Sequence, residues 1–248
     1  MIFSHKHRFI FIKGRKVAGT SIEIALSSYC GPQDIITPIS PVDELKRLTH
    51  GGKPQNYGAP ERVERKYLTL VRAGKMKAAI KTRVHTYSFF NHMPLATVEE
   101  LLNPQSEDYT LVYAVRDPYR KIASLANMQI SFQNYSGEAM ENPLEEIRKS
   151  ISRLFETGDY MRVHNQALYQ SQRSYKAEVV LRQEHLSDDF GNLLCHLGID
   201  EGRQEMPHVK KGSSGKGYNI EDMFTREQLD IVNTEFADEF HTHGYTMI

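Results

Sequence analysis

The densest chemistry in the chain lies between Phe9 and Glu23, where Phe9-Ile10-Phe11-Ile12 runs into Lys13-Gly14-Arg15-Lys16-Val17-Ala18-Gly19-Thr20-Ser21 and then Ile22-Glu23. An apolar run, a basic glycine-bearing loop and a helix start with hydroxyls at its mouth make an anion cradle. Gly14 and Gly19 permit close backbone approach, and the loop and first-turn amides of such a unit point at a phosphate. The spacing Gly14-x4-Gly19-Thr20-Ser21 nearly matches a nucleoside triphosphate P-loop, but Thr20 stands where that loop has its lysine. Lysine occurs earlier instead, at Lys16, where it would sit nearer a 5′-phosphate and whatever leaves from it. An ordinary strand-to-helix turn, with Thr20 and Ser21 merely capping the helix, explains a lone loop of this kind equally well.

A second element narrows the choice. Tyr109–Val115 is a β-branched and aromatic strand signal that leads directly into Arg116-Asp117-Pro118-Tyr119-Arg120-Lys121-Ile122-Ala123-Ser124. Pro118 suits the first turn of a helix. An arginine at a strand exit and a serine on the second turn of the next helix suit a fork donor and a hydroxyl gripping one phosphate.

Taken in this order, the two elements resemble sulfotransferases that use 3′-phosphoadenosine 5′-phosphosulfate (PAPS), in particular the carbohydrate-type and bacterial members. There Lys-x-x-Gly-Thr-Ser after a strand forms the 5′-phosphosulfate loop, and Arg-x-Pro with a serine at the same offset forms the 3′-phosphate site. The resemblance implies that Lys16, Val17, Ala18, Gly19, Thr20 and Ser21 hold the 5′ end of the nucleotide, and Arg116 and Ser124 the 3′-phosphate. It also implies that Lys16 stabilises the leaving oxygen and that no metal is required. The family usually has proline before this lysine, and this chain has Arg15. Glu205–Tyr218, basic and rich in glycine and serine, is similar to the family's late nucleotide-covering loop, which implies Lys210, Lys211 and Gly212 near the 3′-phosphate. Val179–Leu186 and the Gly244-Tyr245 ending resemble the family as well. Residues 35–80 and 130–175 lie outside the resemblance.

Family members of the carbohydrate type place a histidine between the two motifs as general base. His92, in Asn91-His92-Met93-Pro94, occupies that region; His85 is the alternative. Glu23 reads as a helix-dipole residue and stands next in line as a base. Tyr87, Phe89, Phe90 and Tyr135 either line an acceptor pocket or belong to the core. His241 and His243 could share an ion, but two ligands do not make a zinc site.

The elements that must position these residues alternate. The sequence predicts a strand over 8–13, a helix over 19–29, and an irregular proline-rich insertion over about 32–76 with a short helix near 42–48. A charged helix over 61–73 follows, then a strand over 78–85 and a helix over 97–102. After the 109–115 strand come helices over 119–130, 143–156 and 161–171, a strand over 178–182, and helices over 187–197 and 225–240. This pattern predicts an α/β protein with a P-loop-like parallel β-sheet flanked by helices on both faces, the sulfotransferase fold, as one domain over residues 1–248.

Bulk properties bound the rest. Among 248 residues, 31 Lys and Arg balance 31 Asp and Glu, so composition indicates no broad nucleic-acid face. No run of about 18 apolar residues suggests a membrane span, and Met1–Arg8 lacks the apolar core of a secretory signal. Cys30 and Cys195, the two cysteines, favour a reducing compartment, hence a cytoplasmic setting. The sequence reading is therefore a sulfotransferase moving a sulfuryl group from PAPS to a hydroxyl of a carbohydrate or polar small molecule. The alternatives are a P-loop kinase or nucleotide-binding protein, and a nucleotide- or glycan-binding module without turnover. Oligomeric state is left open.

Overall fold

The computed structural model describes residues 1–133, 142–199 and 217–248. In chain order its elements are β1 (Ile2–Ser4), β2 (Phe9–Ile12), α1 (Gly19–Ser27), β3 (Ile35–Ile36), α2 (Pro41–Thr49), α3 (Glu61–Arg72), α4 (Met76–Ile80), α5 (Leu95–Leu102), β4 (Thr110–Val115) and α6 (Pro118–Gln133). There follow α7 (Pro143–Thr157), α8 (Gln166–Tyr169), β5 (Ala177–Arg182), α9 (Leu186–His196), α10 (Ile220–Met223), α11 (Arg226–Glu235) and α12 (Ala237–His243). The protein is α/β, with a five-stranded sheet flanked by helices in the order β3-β1-β2-β4-β5.

The sheet is mixed, not parallel as the alternating pattern suggests. β1 pairs antiparallel with both β2 and β3, whereas β2 and β4 pair in parallel, Phe9 opposite Thr110 and Ile12 opposite Tyr113. Connection length explains the difference. Residues 5–8 leave room only for a hairpin between β1 and β2, while the long passage from α1 to α5 allows the crossover that parallel pairing needs. The buried Asp34 carboxylate fixes that hairpin, accepting from Ser4 Oγ (2.7 Å), the His5 amide (2.8 Å) and the Lys6 amide (3.1 Å). A start rich in basic residues and histidine concealed a three-residue strand.

The chain divides into two compact units. The first comprises Met1–Gly14, Ala18–Ala114 and the described residues from Leu168 to 199, and it contains the sheet. All of β2 and β4 is buried, as expected for strands covered on both faces. In α1, Ile22, Ile24 and Leu26 are fully buried, each worth about 1.5–3 kcal/mol relative to exposure. The strand expected over 78–85 is absent; α4 and a 3-10 turn over Val84–Thr86 occupy it. Met76, Ala79 and Ile80 fall at helical rather than alternating positions, and Ala79 packs into a cluster with Tyr57, Tyr67, Leu68, Val71 and Val84. Tyr87 and Phe89, both partly buried, pack against the same cluster.

The second unit comprises Arg15–Val17, Val115–Ala167 and the described residues 217–248. Its core joins Tyr119, Ile122, Ala126 and Ile130 of α6 to Ile147, Ile151 and Leu154 of α7, and to Phe236 and Phe240. Both helices present these residues at three- and four-residue intervals. The side chain of Asn142 caps α7, accepting from the Glu145 amide, and Pro143 opens it. A reciprocal Thr225–Gln228 capping box opens α11. Where one helix is expected over 161–171, a 3-10 turn over Asp159–Val163 precedes the short α8. The Asn165 side chain between them is engaged elsewhere.

Candidate functional site

In the first unit the parallel register of β2 and β4 puts the carboxyl ends of both strands at one edge of the sheet. Beyond β2, Lys13 turns inward and is only 3% exposed. Its ammonium pairs with Glu23 Oε2 at 2.7 Å. Glu23 is fully buried and also meets the Met1 amino group (2.8 Å) and Arg47 Nη2 (3.5 Å) through Oε1. Arg47 faces Glu44 at 3.4 Å in turn. Burial alone would raise the Glu23 pKa, but Lys13, the amino group and Arg47 together hold it well below the usual carboxylate range. Glu23 thus lies on the second turn of α1 as the anionic hub of an ion cluster, correcting its reading as a dipole residue. A carboxylate this stabilised is a poor base.

Gly19 is required by the same cluster. A Cβ there would lie 2.8 Å from Lys13 Cγ and 3.3 Å from the Gly14 carbonyl oxygen, and Glu23 keeps Lys13 from moving aside. Helix α1 begins at an Ala18 N-cap in left-handed backbone (φ 62°), with no side-chain cap. Thr20 and Ser21 lie inside the first turn, past the capping position, so the plain capping reading of these hydroxyls does not describe the loop. No acidic residue occupies that turn. The positive end of the helix is left to its backbone amides.

His92 precedes α5 in left-handed backbone (φ 59°). Its Nδ1 lies 2.9 Å from the Lys13 carbonyl oxygen. A carbonyl only accepts, so Nδ1 carries the proton and Nε2 carries the lone pair. Burial, and then the nearby Lys13 ammonium, lower the His92 pKa to about 4. The imidazole is therefore neutral at any ordinary pH, more firmly than a free histidine would be. His85 differs: it is exposed, on the 3-10 turn after α4, and does not end a strand.

In the second unit, Lys16 has left-handed backbone (φ 64°) and is half-buried. Arg116 Nη1 donates to the Lys16 carbonyl at 3.4 Å, so the guanidinium that follows β4 lies against the loop that follows β2. Asp117 accepts from the Arg120 amide at 2.8 Å, the bond of a helix cap, and Pro118 opens α6. Ser124 lies on the second turn of α6, half-buried. Lys210, Lys211 and Gly212 lie outside the described residues, as does Tyr135.

Sequence reasoning missed Lys13, Asn165, Lys121 and Glu239. A signal existed for two of them. Lys13 directly follows a buried strand, and Lys121 falls four residues before Leu125 on the apolar face of α6, positions where an ammonium needs a buried acid. Asn165 carries no such signal. Among the described residues there is no group of three or more His, Cys, Asp or Glu able to hold a metal, and no helix long and apolar enough to cross a membrane. Comparison with protein-family models, with curated proteins and with solved structures finds no match for this chain.

Proposed function

We propose that the protein is a sulfotransferase taking PAPS as donor and the hydroxyl of a carbohydrate or polar small molecule as acceptor. The observation that carries this reading is the bond from Arg116 to the Lys16 carbonyl, because it joins the two sequence motifs assigned to opposite phosphates of one nucleotide. A nucleotide with phosphates on both its 3′ and 5′ positions suits a guanidinium beside a lysine-bearing loop. The uncapped amides of α1 and the close backbone approach at Gly19 support the 5′ assignment. Thr20 in place of the bridging lysine weighs against a kinase.

In this reading the acceptor oxygen forms a bond to sulfur as the bond from sulfur to the 5′-phosphate oxygen breaks. The acceptor proton passes to Nε2 of His92, or to His85 in the alternative assignment. Lys16 stabilises the charge gathering on the departing phosphate oxygen. His92 offers a base that is unprotonated at neutral pH before the reaction, although its lowered pKa makes it weaker than an ordinary imidazole. Lysine and backbone donors can serve a sulfuryl group, which carries less charge than a terminal phosphoryl group, without a divalent cation.

Calorimetric titration with 3′-phosphoadenosine 5′-phosphate (PAP) in EDTA tests the nucleotide assignment, with ATP and Mg²⁺ as the contrast. PAP should bind without metal, and Arg116→Ala should weaken it by about 10- to 150-fold, the loss of one charge-assisted contact. ATP binding that depends on Mg²⁺, with none for PAP, would sink the assignment. Sulfuryl release from labelled PAPS then separates an enzyme from a binding module: Lys16→Ala should lower turnover far more than PAP affinity.

A further inference from the structure

We propose that Asn165 is a positioning residue for Lys16, and that the buried Lys121–Glu239 pair holds Asn165 in place for that purpose. The inference deepens the sulfotransferase reading and rests on it for the role of Lys16, but its geometry is independent of any ligand.

Arg15 is an exposed loop residue. The structure holds its backbone from outside the loop. The Arg15 amide donates to Asn165 Oδ1 at 2.8 Å, and Asn165 Nδ2 donates to the Arg15 carbonyl at 3.0 Å. One side-chain amide thus pairs with both backbone groups of one residue, as a neighbouring strand would. Only a carboxamide offers an acceptor and a donor together at that spacing. The next residue, Lys16, takes left-handed backbone, which is unfavourable for any side chain and must be imposed by its surroundings. Asn165 fixes the residue before it, and Arg116 binds its own carbonyl.

Asn165 is itself fixed. It is 2% exposed, and its amide donates to Glu239 Oε1 at 2.9 Å. The second oxygen of Glu239 pairs with Lys121 Nζ, which also donates to the Val163 carbonyl at 3.0 Å and lies 5.0 Å from the centre of the Phe236 ring. The ion pair therefore grips the 163–165 segment at two backbone groups, Val163 on one side through the ammonium and Asn165 on the other through the carboxylate. Arg15 adds a bond from Nη1 to the Arg162 carbonyl at 3.2 Å. A buried ion pair needs such compensating bonds, and here they converge on the residue that orders the loop.

Amide hydrogen exchange on the full chain without nucleotide tests the geometry. In Asn165→Ala the Arg15 amide should exchange about 10-fold or more faster, the loss of one hydrogen bond, while the β2 amides keep wild-type rates. With PAPS, the same variant should lose about 10- to 100-fold in sulfuryl release at saturating donor while PAP affinity changes less than about 3-fold, since a displaced lysine costs rate before it costs binding. Uniform acceleration across the unit, or equal losses in rate and affinity, would reduce Asn165 to a packing residue and overturn the proposal. If Asn165→Ala does not fold, Asn165→Asp keeps the acceptor for Arg15 and replaces only the donor, with the same readouts required. Faster exchange at Arg15 in a protein that does not bind PAP would leave the clamp standing and overturn the nucleotide reading alone.

Discussion

Two buried lysine–glutamate pairs, one in each unit, secure the chain next to the candidate loop by different means. In the first, Glu23 meets three cations, Lys13, Arg47 and the Met1 amino group, and what is held is a side chain: Lys13 packs against Gly19 and its carbonyl holds His92. In the second, Glu239 meets one cation, Lys121, and what is held is backbone, at Val163 and Asn165. One cluster centres on an anion shared by several basic groups, with Glu44 behind Arg47; the other is a matched pair whose surplus bonding capacity goes to the main chain. Net charge inside the fold is only part of the account, since the remaining donors and acceptors decide which segment becomes rigid.

The difference predicts unequal responses to charge removal. Glu23→Gln removes the carboxylate that faces Lys13, Arg47 and the Met1 amino group, leaving Arg47 only Glu44, and should destabilise by about 3–5 kcal/mol in urea unfolding, the cost typical of breaking a buried pair. Lys13→Met should cost clearly less, because Arg47 and the amino group still neutralise Glu23. In the second unit the two ends should cost about the same, Glu239→Gln and Lys121→Met falling within about 1 kcal/mol of each other, since each strands one group. Burial already lowers the Lys121 pKa, so its ammonium can shed a proton once Glu239 is neutral, which limits the first of these. A Glu23→Gln variant no worse than Lys13→Met would show that the carboxylate is not the hub.

Acid sensitivity should separate the units next. Burial, then Lys13, lowers His92 from 6.5 to about 4 in the folded state, so between those values this histidine binds more protons in the unfolded chain. The contribution of His92 to stability must therefore fall as pH drops from about 6.5 toward 4, by on the order of 1–3 kcal/mol, while Glu44, which burial raises to about 7, works in the opposite direction between about 7 and 4.5. Glu23, whose folded pKa is also lowered, adds a further loss below about 4.5. His92→Gln should remove the upper part of this slope and leave the lower part. An unchanged slope between pH 6.5 and 5 would mean that His92 is not the titrating group.

Much of this arrangement could be read from the sequence wherever the physics was local. Strand β2, helix α1, strand β4 and the start of α6 follow from apolar runs, glycine and proline positions, and these elements carry Thr20 and Ser21 and flank Lys16 and Arg116. Pairing direction is not local. It turned on the four residues after Ser4, whose basic character hid a hairpin fixed by the distant Asp34. Helix α4 is only five residues long, and Ala78–His85 overlaps it with an apolar content that suits a strand equally well, so the helical spacing of Met76, Ala79 and Ile80 is a weak signal. The charged residues of both clusters stood in apolar patterns at Lys13 and Lys121, a sign that buried acids must meet them, but no pattern says which acids. Asn165 was beyond reach, because a side chain that pairs with backbone leaves no periodic trace.

The smallest expected effect sharpens the contrast most. At position 15 the grip is on backbone, so Arg15→Ala keeps both bonds to Asn165 and loses only the exposed bond to the Arg162 carbonyl. Stability should change by less than about 0.5 kcal/mol, as for surface substitutions elsewhere, and PAP affinity by less than about 2-fold. Arg15→Pro is the opposite case. Proline would fix φ but delete the amide that Asn165 Oδ1 accepts from, leaving a buried acceptor unpaired at a cost of about 1–3 kcal/mol. Equal losses for alanine and proline would mean that the arginine side chain does the holding. A small loss for alanine and a larger one for proline would show that the loop depends on the amide at this position, which gives a physical reason for a residue other than proline to stand before Lys16 in this chain.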